Sequence, residues 1–295
     1  MLPGDVADAY RGRRVLVTGG LGFIGSNLAR RLVELGAEVV LLDSLIPEYG
    51  GNRANIAGIE EAVRVDVSDV RDADAMRAAI AGQEVLFNLA GQTSHVDSLH
   101  DPFTDLDINC RSQLSILETC RHESPDVKVV FASTRQLYGR PQYLPVDERH
   151  PVAPVDPNGV NKAAGESYHL VYGQVYGLRT CVLRLTNTYG PRMRVKDDRQ
   201  TFLGTWLRLA VRGEELAIFG DGSQRRDFTY VDDAVEAFLL AGLEPAADGR
   251  AFNIASGAGA SVRRLAEATV RARPSLSETL GSQPSVARAA VMSAT

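Results

Sequence analysis

The sequence predicts an α/β protein built on a doubly wound parallel sheet, followed by a smaller C-terminal lobe. Short apolar runs rich in β-branched residues recur between residues 14 and 185, and each has the length of a buried strand. Amphipathic helical stretches separate these runs. Regular alternation of strand and helix is typical of a parallel sheet with helices on both faces.

The predicted elements follow one another along the chain. Strands are expected at residues 14–18, 37–43, 62–66, 84–90, 128–133 and 180–185, and helices at residues 24–35, 103–122 and about 161–176. After Leu185 the rhythm is less regular, with a helix at about residues 200–211 and another that opens at Asp232. We therefore expect a first domain over residues 1–186 and a smaller lobe over residues 187–295, capping the carboxyl edge of the sheet, where open α/β folds bind ligands.

The composition excludes several classes of partner. The 295 residues are 44% hydrophobic and 23% charged with a formal net charge of −5, which leaves no basic face for nucleic acid or an anionic membrane. No apolar run is long enough to cross a bilayer and residues 1–14 lack a signal-peptide pattern, so we expect a cytoplasmic protein. Cys110, Cys120 and Cys181 lie far apart in periodic segments, which predicts core thiols and neither disulfides nor a metal site.

The turn after the first strand carries a phosphate-binding pattern. The segment VLVTGGLGFIG places Gly19, Gly22 and Gly25 between the first strand and the first helix, with Phe23 and Ile24 opening that helix. Glycines here permit a tight turn and close approach of the backbone to a pyrophosphate, while the helix N-terminus offers unpaired N–H groups. The pattern predicts a Rossmann-type dinucleotide site that these five residues line.

Two acidic strand ends extend this site. Asp43 ends the second strand eighteen residues after Gly25, where a carboxylate can accept hydrogen bonds from both ribose hydroxyls of an adenosine. A 2′-phosphate would be repelled there, so the cofactor is predicted to be NAD and not NADP. Asp66 and Val67 follow the third strand, at the place where an adenine ring is expected to lie.

Further motifs extend the pattern over most of the chain. Together they resemble those of extended short-chain dehydrogenases/reductases of the nucleotide-sugar epimerase and dehydratase family. The segments that carry the resemblance are TGGLGFIG, Asp43, Asp66–Val67, NLAGQTSHVDS, Asn109, ASTRQLYG, Lys162, RLTNTYGPRM and GDGSQRRDFTYVDD. They span residues 14 to about 272 and are specific for the family, though not for one reaction within it.

The resemblance implies a redox cycle on a nucleotide-diphosphate sugar. A sugar hydroxyl is oxidised by NAD, the keto sugar is altered, and the hydride is commonly returned. By resemblance, Leu89, Ala90 and Gln92 flank the nicotinamide side of NAD. Thr134 is expected to hydrogen-bond the reacting hydroxyl, and Lys162 to bind the nicotinamide ribose and to lower the pKa of a neighbouring phenol.

The resemblance also supplies candidates for substrate binding. Asn187 and Arg226 match residues that contact the sugar diphosphate or the nucleoside, and the guanidinium fork of arginine suits phosphate. Arg192, in the RLTNTYGPRM motif, is predicted to bind substrate as well. Arg135 is a candidate contact to an anionic or hydroxyl-rich sugar, and His95 follows the fourth strand at the cofactor edge.

One position departs from the family pattern in a way that bears on catalysis. The family's tyrosine stands four residues before the lysine, so that both side chains share one helical face. Counting back from Lys162 gives Asn158. An amide cannot act as the base that a lysine-activated phenolate provides. Asn158 is therefore expected at the catalytic position without the usual chemistry.

Other residues offer incomplete substitutes for the missing phenol. Tyr168 and Tyr172 lie too far along the predicted helix from Lys162 to face the same sugar oxygen, and Tyr138 is the nearest tyrosine. The remaining candidate proton acceptors are Lys162 itself, His95 and a water molecule held by Asn158 and Thr134.

Three interpretations of function stay open: an enzyme with a different proton acceptor, a partial reaction such as dehydration, and a non-catalytic regulator that binds NAD and a nucleotide sugar. Arg135 and Gln136 stand where 4,6-dehydratases of the family commonly carry Asp and Glu, so ordinary 4,6-dehydration loses its acid and base. We favour an NAD-dependent nucleotide-sugar epimerase. Reaction at C4 is preferred to reaction at C2 because C4 is the commonest site in the family.

Two expectations concern assembly and the end of the chain. Relatives commonly form homodimers through two helices that correspond here to residues 103–122 and 161–176. The substrate-binding pattern that the resemblance implies after residue 272 is missing from residues 274–295, which are rich in Ser and Ala. That stretch is expected to be loosely ordered, and the lobe shortened.

Overall fold

The computed structural model of the protein describes residues 3–197, 199, 201–272 and 289–292. The strands are β1 Arg14–Thr18, β2 Glu38–Leu42, β3 Val63–Asp66, β4 Val85–Asn88, β5 Lys128–Thr134, β6 Arg179–Leu185, β7 Asn187–Tyr189, β8 Leu216–Phe219, β9 Arg225–Tyr230, β10 Arg250–Ile254, β11 Gly259–Ser261 and β12 Ala289–Met292. The α-helices are α1 Pro3–Tyr10, α2 Phe23–Glu34, α3 Ala73–Ile80, α4 His95–His100, α5 Pro102–Leu106, α6 Ser112–Glu123, α7 Pro157–Tyr176, α8 Phe202–Arg212, α9 Val231–Leu243 and α10 Val262–Arg271.

Seven parallel strands form the central sheet, in the order β10-β6-β5-β4-β1-β2-β3. The chain runs outward from β1 to β3 on one side and from β4 to β10 on the other, so the direction reverses between β1 and β4. Such a reversal opens a crevice at the carboxyl ends of the two strands, where doubly wound folds bind ligands. The predicted Rossmann-type fold is confirmed.

Two apolar layers cover the faces of this sheet, and the alternation along β1 assigns its residues to them. Val15 and Val17 pack into one core together with α2 and α9, through residues such as Phe238. Leu16 belongs to a second core that includes Ile116 of α6. Because both faces of this parallel strand are covered, residues 15–17 of β1 are all apolar and do not alternate with polar ones.

The chain divides into two compact units. The first comprises Met1–Thr186, Gly190–Arg192 and Tyr230–Ile254, and the second Asn187–Tyr189, Met193–Thr229 and Ala255–Thr295. The first segment of the first unit ends at Thr186, and residues 190–192 and 230–254, which were expected in the smaller lobe, also belong to this unit. Residues 230–254 do so because α9 packs on the sheet and β10 pairs in parallel with β6, from Arg250–Cys181 to Ile254–Leu185.

The second unit has small sheets of its own. In one, β11, β9 and β7 pair in that order, and in the other β12 pairs in parallel with β8. Trp206, Leu216, Ile218 and Ala266 form its buried apolar cluster. Residues 289–292, within the stretch expected to be loosely ordered, form β12, whereas residues 274–288 and 293–295 of that stretch lie outside the described residues.

Two predicted helices differ from the structure in helix type or by more than two residues. The predicted helix at residues 103–122 contains a π-helical turn, Asp107–Arg111, between α5 and α6. The predicted helix at residues 161–176 begins four residues earlier, because Asp156 caps it and Pro157 occupies its first turn. None of the described helices is long and apolar enough to cross a bilayer. All three cysteines are free, with Cys120 and Cys181 buried and Cys110 partly buried.

Candidate active site

The glycine turn after β1 leaves no room for side chains. Gly19 has a φ of +66°, and a Cβ there would lie 3.0 Å from the backbone nitrogen of Ala90. A Cβ on Gly25 would come within 2.2 Å of the carbonyl oxygen of Gly19. Gly22 precedes α2 without a side-chain cap, and the first turn of α2, which opens with Phe23 and Ile24, has no acidic residue. The first N–H groups of α2 can therefore bind an anion such as a pyrophosphate.

Asp43 is held at the carboxyl end of β2 with its carboxylate directed at the glycine turn. Its Oδ2 accepts a hydrogen bond from the backbone N–H of Leu21 at 3.1 Å, and its Oδ1 accepts one from Leu45 at 2.9 Å. The residue is only 7% exposed. Burial raises the pKa of Asp43, and the hydrogen bonds from Leu45 and Leu21 oppose that shift.

The end of β3 lies beside Asp43. The backbone N–H of Asp43 donates to the carbonyl of Asp66 at 3.1 Å, and the hydroxyl of Ser68 donates to Oδ1 of Asp66 at 2.6 Å. Val67 is half-exposed at the same edge. The predicted adenosine-binding residues thus share one end of the sheet.

At the junction of β1 and β4, Thr18 fixes the start of the next loop. Its hydroxyl donates to Oδ1 of Asn88 at 2.9 Å and accepts from the backbone N–H groups of Leu89 and Ala90, each at 3.1 Å. The loop that follows β4 is therefore anchored directly against the glycine turn.

Asn158 belongs to a buried polar cluster under this loop. Its Nδ2 donates to Oδ2 of Asp105 and to the carbonyl of Gln92, both at 2.9 Å. Asn161 donates to Oδ1 of Asp105 at 2.7 Å, and Asn109 donates to the carbonyl of Gln92 at 2.9 Å. Asp105 and Asn109 are fully buried, and Asn158 is 1% exposed. The nitrogen of the Asn158 amide is therefore committed to structural hydrogen bonds.

Lys162 lies one turn after Asn158 on α7 and is also buried. Its Nζ donates to the carbonyl of Ala132 at 3.3 Å, and a Cβ on Gly91 would lie 2.7 Å from Nζ. Oδ1 of Asn109, a buried acceptor without a hydrogen-bond partner among the described residues, lies 3.0 Å from the same Cβ position. Burial lowers the pKa of Lys162 to about 8, while the charge of Asp105 opposes that shift.

Taken together, the first unit offers the groups that a dinucleotide needs. The uncapped start of α2 suits the pyrophosphate, Asp43 suits a ribose, and the buried amine of Lys162 with the unpartnered Asn109 oxygen suits a polar group beside Gly91. The described part of the chain contains no group of three or more histidine, cysteine, aspartate or glutamate side chains that could hold a metal ion. These residues fit NAD.

Comparison with known proteins decides the family. The model of the NAD dependent epimerase/dehydratase family matches residues 15–255. The chain belongs to this family. Its cofactor is accordingly NAD, and the protein is an enzyme of the epimerase/dehydratase kind, as the sequence predicted.

Several proteins similar to this chain are named UDP-glucose 4-epimerase. A UDP-glucose 4-epimerase from Mycolicibacterium smegmatis is 36% identical over 256 residues, covering 85% of this chain and 80% of the relative. A Methanocaldococcus jannaschii protein, provisionally named a UDP-glucose 4-epimerase, is 39% identical over 228 residues, covering 77% of this chain and 72% of that protein. The crystal structure of UDP-glucose 4-epimerase from Thermotoga maritima with UDP-glucose has a TM-score of 0.79 and 33% identity, covering 93% of this chain and 85% of that chain.

Other contacts engage three tyrosines of the chain, Tyr138, Tyr168 and Tyr172. The hydroxyl of Tyr138 donates to Asn253 at 2.7 Å and accepts from Arg184, and burial raises its pKa. The hydroxyl of Tyr172 donates to Glu118 on α6, and burial together with that carboxylate raises the pKa of Tyr172. Tyr168 packs against the apolar core beneath the sheet.

Thr134 and Arg135 lie at the carboxyl end of β5. The hydroxyl of Thr134 accepts a hydrogen bond from the backbone N–H of Gln136 at 3.2 Å and so begins a short 3-10 helix. Arg135 is exposed, and Leu185 of β6 pairs with Thr134. Their predicted contacts to a sugar stay predictions.

The predicted substrate residues after β6 fall in different units. Arg192, in the first unit, has a φ of +68° and donates to Oδ1 of Asn27 on α2. Asn187 and Arg226 belong to the second unit, where Asn187 donates to the carbonyl of Asp227 at 2.8 Å and the exposed Arg226 donates to the carbonyl of Arg225 at 3.0 Å. The role of all three in substrate binding stays a prediction.

Sequence reasoning missed two carboxylates. Asp105 ties Asn158 to Asn161, and Asp156 contacts Nδ1 of His95 through Oδ2. Asp156 followed by Pro157 is a sequence pattern typical of a helix start with Asp156 as its cap. No local signal identifies Asp105, because its partners come from an element far along the chain.

Proposed function

We propose that the protein is a UDP-sugar 4-epimerase that uses NAD. The observation that supports this proposal is that the glycine turn, Asp43 and Lys162, which are the residues predicted to bind NAD, all belong to one unit. NAD, when bound, supplies a reversible hydride acceptor.

The choice of UDP and of C4 rests on the relatives. Those of 33 to 39% identity are named for UDP-glucose and for epimerisation at C4. Dehydration of the usual 4,6 type is disfavoured because Arg135 and Gln136 occupy the positions of its acid and base. Epimerisation needs one proton acceptor at the oxidised hydroxyl, whereas 4,6-dehydration needs an additional acid and base.

Each predicted residue has a role in the proposed reaction. The pyrophosphate of NAD binds at the glycine turn and the start of α2, which comprise Gly19, Gly22, Phe23, Ile24 and Gly25. Asp43 binds the adenosine ribose. Asp66 and Val67 border the adenine. Leu89, Ala90, Gln92 and Lys162 hold the nicotinamide end. Thr134 donates to the reacting oxygen, while Asn187, Arg192 and Arg226 bind the nucleotide and diphosphate, and Arg135 and His95 face the sugar.

The proton acceptor is not at position 158. The nitrogen of the Asn158 amide donates its hydrogen bonds to Asp105 and Gln92. The amide oxygen can accept a hydrogen bond but does not take up a proton as a base would. We propose that Asn158 holds the loop after β4 in place and leaves proton transfer to another group.

We propose that the protein forms a homodimer through the outer face of α7 and its neighbour α5. On α7, Val160, Val171 and Val175 are 52%, 46% and 64% exposed, and on α5 Phe103 is 76% exposed. The charged residues of α7, Lys162 and Glu166, are both buried, so its outer face carries no charge. An uncharged apolar face of this kind suits a second copy of the same chain.

The proposed activity is tested by incubating the protein with NAD and single nucleotide sugars. With UDP-glucose or UDP-galactose we expect interconversion of the two sugars and a transient absorbance of reduced nicotinamide. TDP-, CDP- and GDP-sugars serve as the comparison. Absence of both signals with every sugar, in a protein that NAD still stabilises, would reject the proposal.

A further inference from the structure

His95 and Asp156 form a pair beside the position of the missing phenol. Oδ2 of Asp156 lies within hydrogen-bond distance of Nδ1 of His95. The side chain of Asp156 is 11% exposed and that of His95 is 47% exposed. One nitrogen of the imidazole therefore faces a largely buried carboxylate, and the ring is still accessible.

Both members of the pair stand at the start of a helix. Asp156 caps α7, where its Oδ1 accepts from the backbone N–H of Gly159 at 2.7 Å, which leaves Oδ2 for the imidazole. His95 opens α4, and its carbonyl accepts from the hydroxyl of Ser98 at 2.7 Å. The contact between His95 and Asp156 therefore joins the first residue of α4 to the residue that caps α7.

The pair lies next to the groups of the proposed reaction. His95 comes three residues after Gln92, and Asp156 comes two residues before Asn158. Gln92 and Asn158 are in direct contact at 2.9 Å, so the two segments meet at this point. A Cβ on Gly159 would lie 3.4 Å from the carbonyl oxygen of Gln136, so the short 3-10 helix after β5 approaches the same place.

An imidazole in this setting has the properties of a proton acceptor. A carboxylate at Nδ1 fixes the tautomer with the proton on Nδ1, leaves the lone pair of Nε2 available, and stabilises the imidazolium that forms. No hydrogen bond to Nε2 of His95 occurs among the residues that the structure describes. Lys162, by contrast, is 5% exposed and already donates to the carbonyl of Ala132.

We propose that His95 is the proton acceptor of this enzyme and that Asp156 is its positioning residue. The inference rests on the proposed nucleotide-sugar oxidation. The O–H bond of the sugar hydroxyl breaks and its proton passes to Nε2 of His95, while the C–H electron pair leaves as hydride to the bound nicotinamide and the carbon becomes a keto carbon. Return of the hydride to the opposite face of the keto carbon, together with return of the proton from His95 to the oxygen, gives the inverted hydroxyl and leaves His95 neutral.

Two variants separate this role from a structural one. Asp156→Asn keeps an oxygen to cap α7 but removes the charge that faces His95, and His95→Gln removes the imidazole. His100→Gln, at an exposed histidine on the same short helix, is the matched control. With UDP-glucose we expect the rate of nicotinamide reduction to fall about 100-fold in His95→Gln and about tenfold in Asp156→Asn, with the binding of NAD and UDP-glucose unchanged and His100→Gln like the wild type.

Nitrogen NMR of labelled histidine gives a second readout that does not depend on turnover. In the protein loaded with NAD, UDP-glucose should shift the Nε2 resonance of His95 and leave that of His100 in place, and Asp156→Asn should change the tautomer balance of His95. An unmoved His95 resonance overturns the inference, whether or not the wild type turns over. An active wild type whose His95→Gln variant keeps its rate within about twofold also overturns it, and leaves the epimerase proposal intact.

Discussion

Asp105 Oδ2 accepts a hydrogen bond from Asn158 Nδ2 at 2.9 Å, and both residues are almost completely buried. Its other oxygen accepts from Asn161 at 2.7 Å, so two amides share one buried carboxylate. In Asp105→Asn one of these amides faces a second N–H donor. We expect the free energy of unfolding to fall by about 1–3 kcal/mol, measured by urea denaturation. Asp107→Asn, at a half-exposed carboxylate that pairs with Arg111, should change it by less than about 0.5 kcal/mol. Equal losses in the two variants would contradict the buried role of Asp105.

The burial of Lys162 predicts a pH-dependent cost to stability. Its pKa is lowered from 10.5 to about 8, so the unfolded chain keeps a proton on this lysine over a pH window in which the folded protein does not. Above pH 10.5 the lysine is neutral in both states and its burial carries no charge penalty. The free energy of unfolding falls as the pH is lowered from 10.5, and this loss is complete once the pH has passed through about 8, where the folded protein must also bind the proton. Lys162→Met should raise the free energy of unfolding of the NAD-free protein by about 1–3 kcal/mol near neutral pH.

The same substitution should lose its advantage in alkali. The gain from Lys162→Met should shrink between pH 8 and 10.5, as denaturant unfolding at several pH values would measure. Lys196→Met, at an exposed lysine, is the control and should give no such trend. A gain that does not depend on pH would show that Lys162 is not buried as an amine.

Asp43 should set the choice between NAD and NADP. NAD is expected to raise the melting temperature of the wild type while NADP does so weakly, because a 2′-phosphate would meet the buried carboxylate. Asp43→Asn should weaken stabilisation by NAD and narrow the difference between the cofactors. Asp69→Asn, at a carboxylate bonded to Arg71 in the next turn, should leave both responses unchanged. Equal stabilisation of the wild type by NAD and NADP would count against this role.

Restoring the phenol should restore the usual chemistry. Asn158→Tyr is expected to raise the rate of nicotinamide reduction by UDP-glucose about tenfold or more, and to restore it in a His95→Gln background. The variant should also lose stability, since Asp105 loses a donor. Asn158→Phe has the same ring without the hydroxyl and is the matched control. Equal rates for the Tyr and Phe variants would show that position 158 does not take part in proton transfer.

The outer face of α7 should govern assembly. Val171→Glu places a charge in the uncharged apolar face and is expected to convert the dimer to a monomer, as light scattering after size-exclusion chromatography would measure. Val152→Glu introduces the same charge at a valine that is 49% exposed outside the helices, and should leave the dimer intact. A wild type that is monomeric at micromolar concentration would contradict the proposed interface.

Local patterns predicted the parallel sheet and the cofactor NAD, since each strand and the glycine turn can be recognised within a few residues. The position of β10 in the sheet could not be predicted, because a short apolar run does not indicate which strand it pairs with. Its pairing with β6 is part of what assigns residues 230–254 to the first unit. The π-helical turn at Asp107–Arg111 could not be recognised from the spacing of apolar residues along this segment. The pair of His95 and Asp156 joins residues 61 positions apart, so only the fold brings it together.

The central claim is that this chain oxidises and re-reduces a UDP-sugar at C4 without a tyrosine at position 158. The most direct measurement follows UDP-glucose that carries deuterium at C4 through a single incubation with the NAD-loaded wild type. We predict UDP-galactose that retains the deuterium at C4, because the hydride returns to the carbon that it left. Failure to form UDP-galactose, or loss of the deuterium to solvent, would contradict the account.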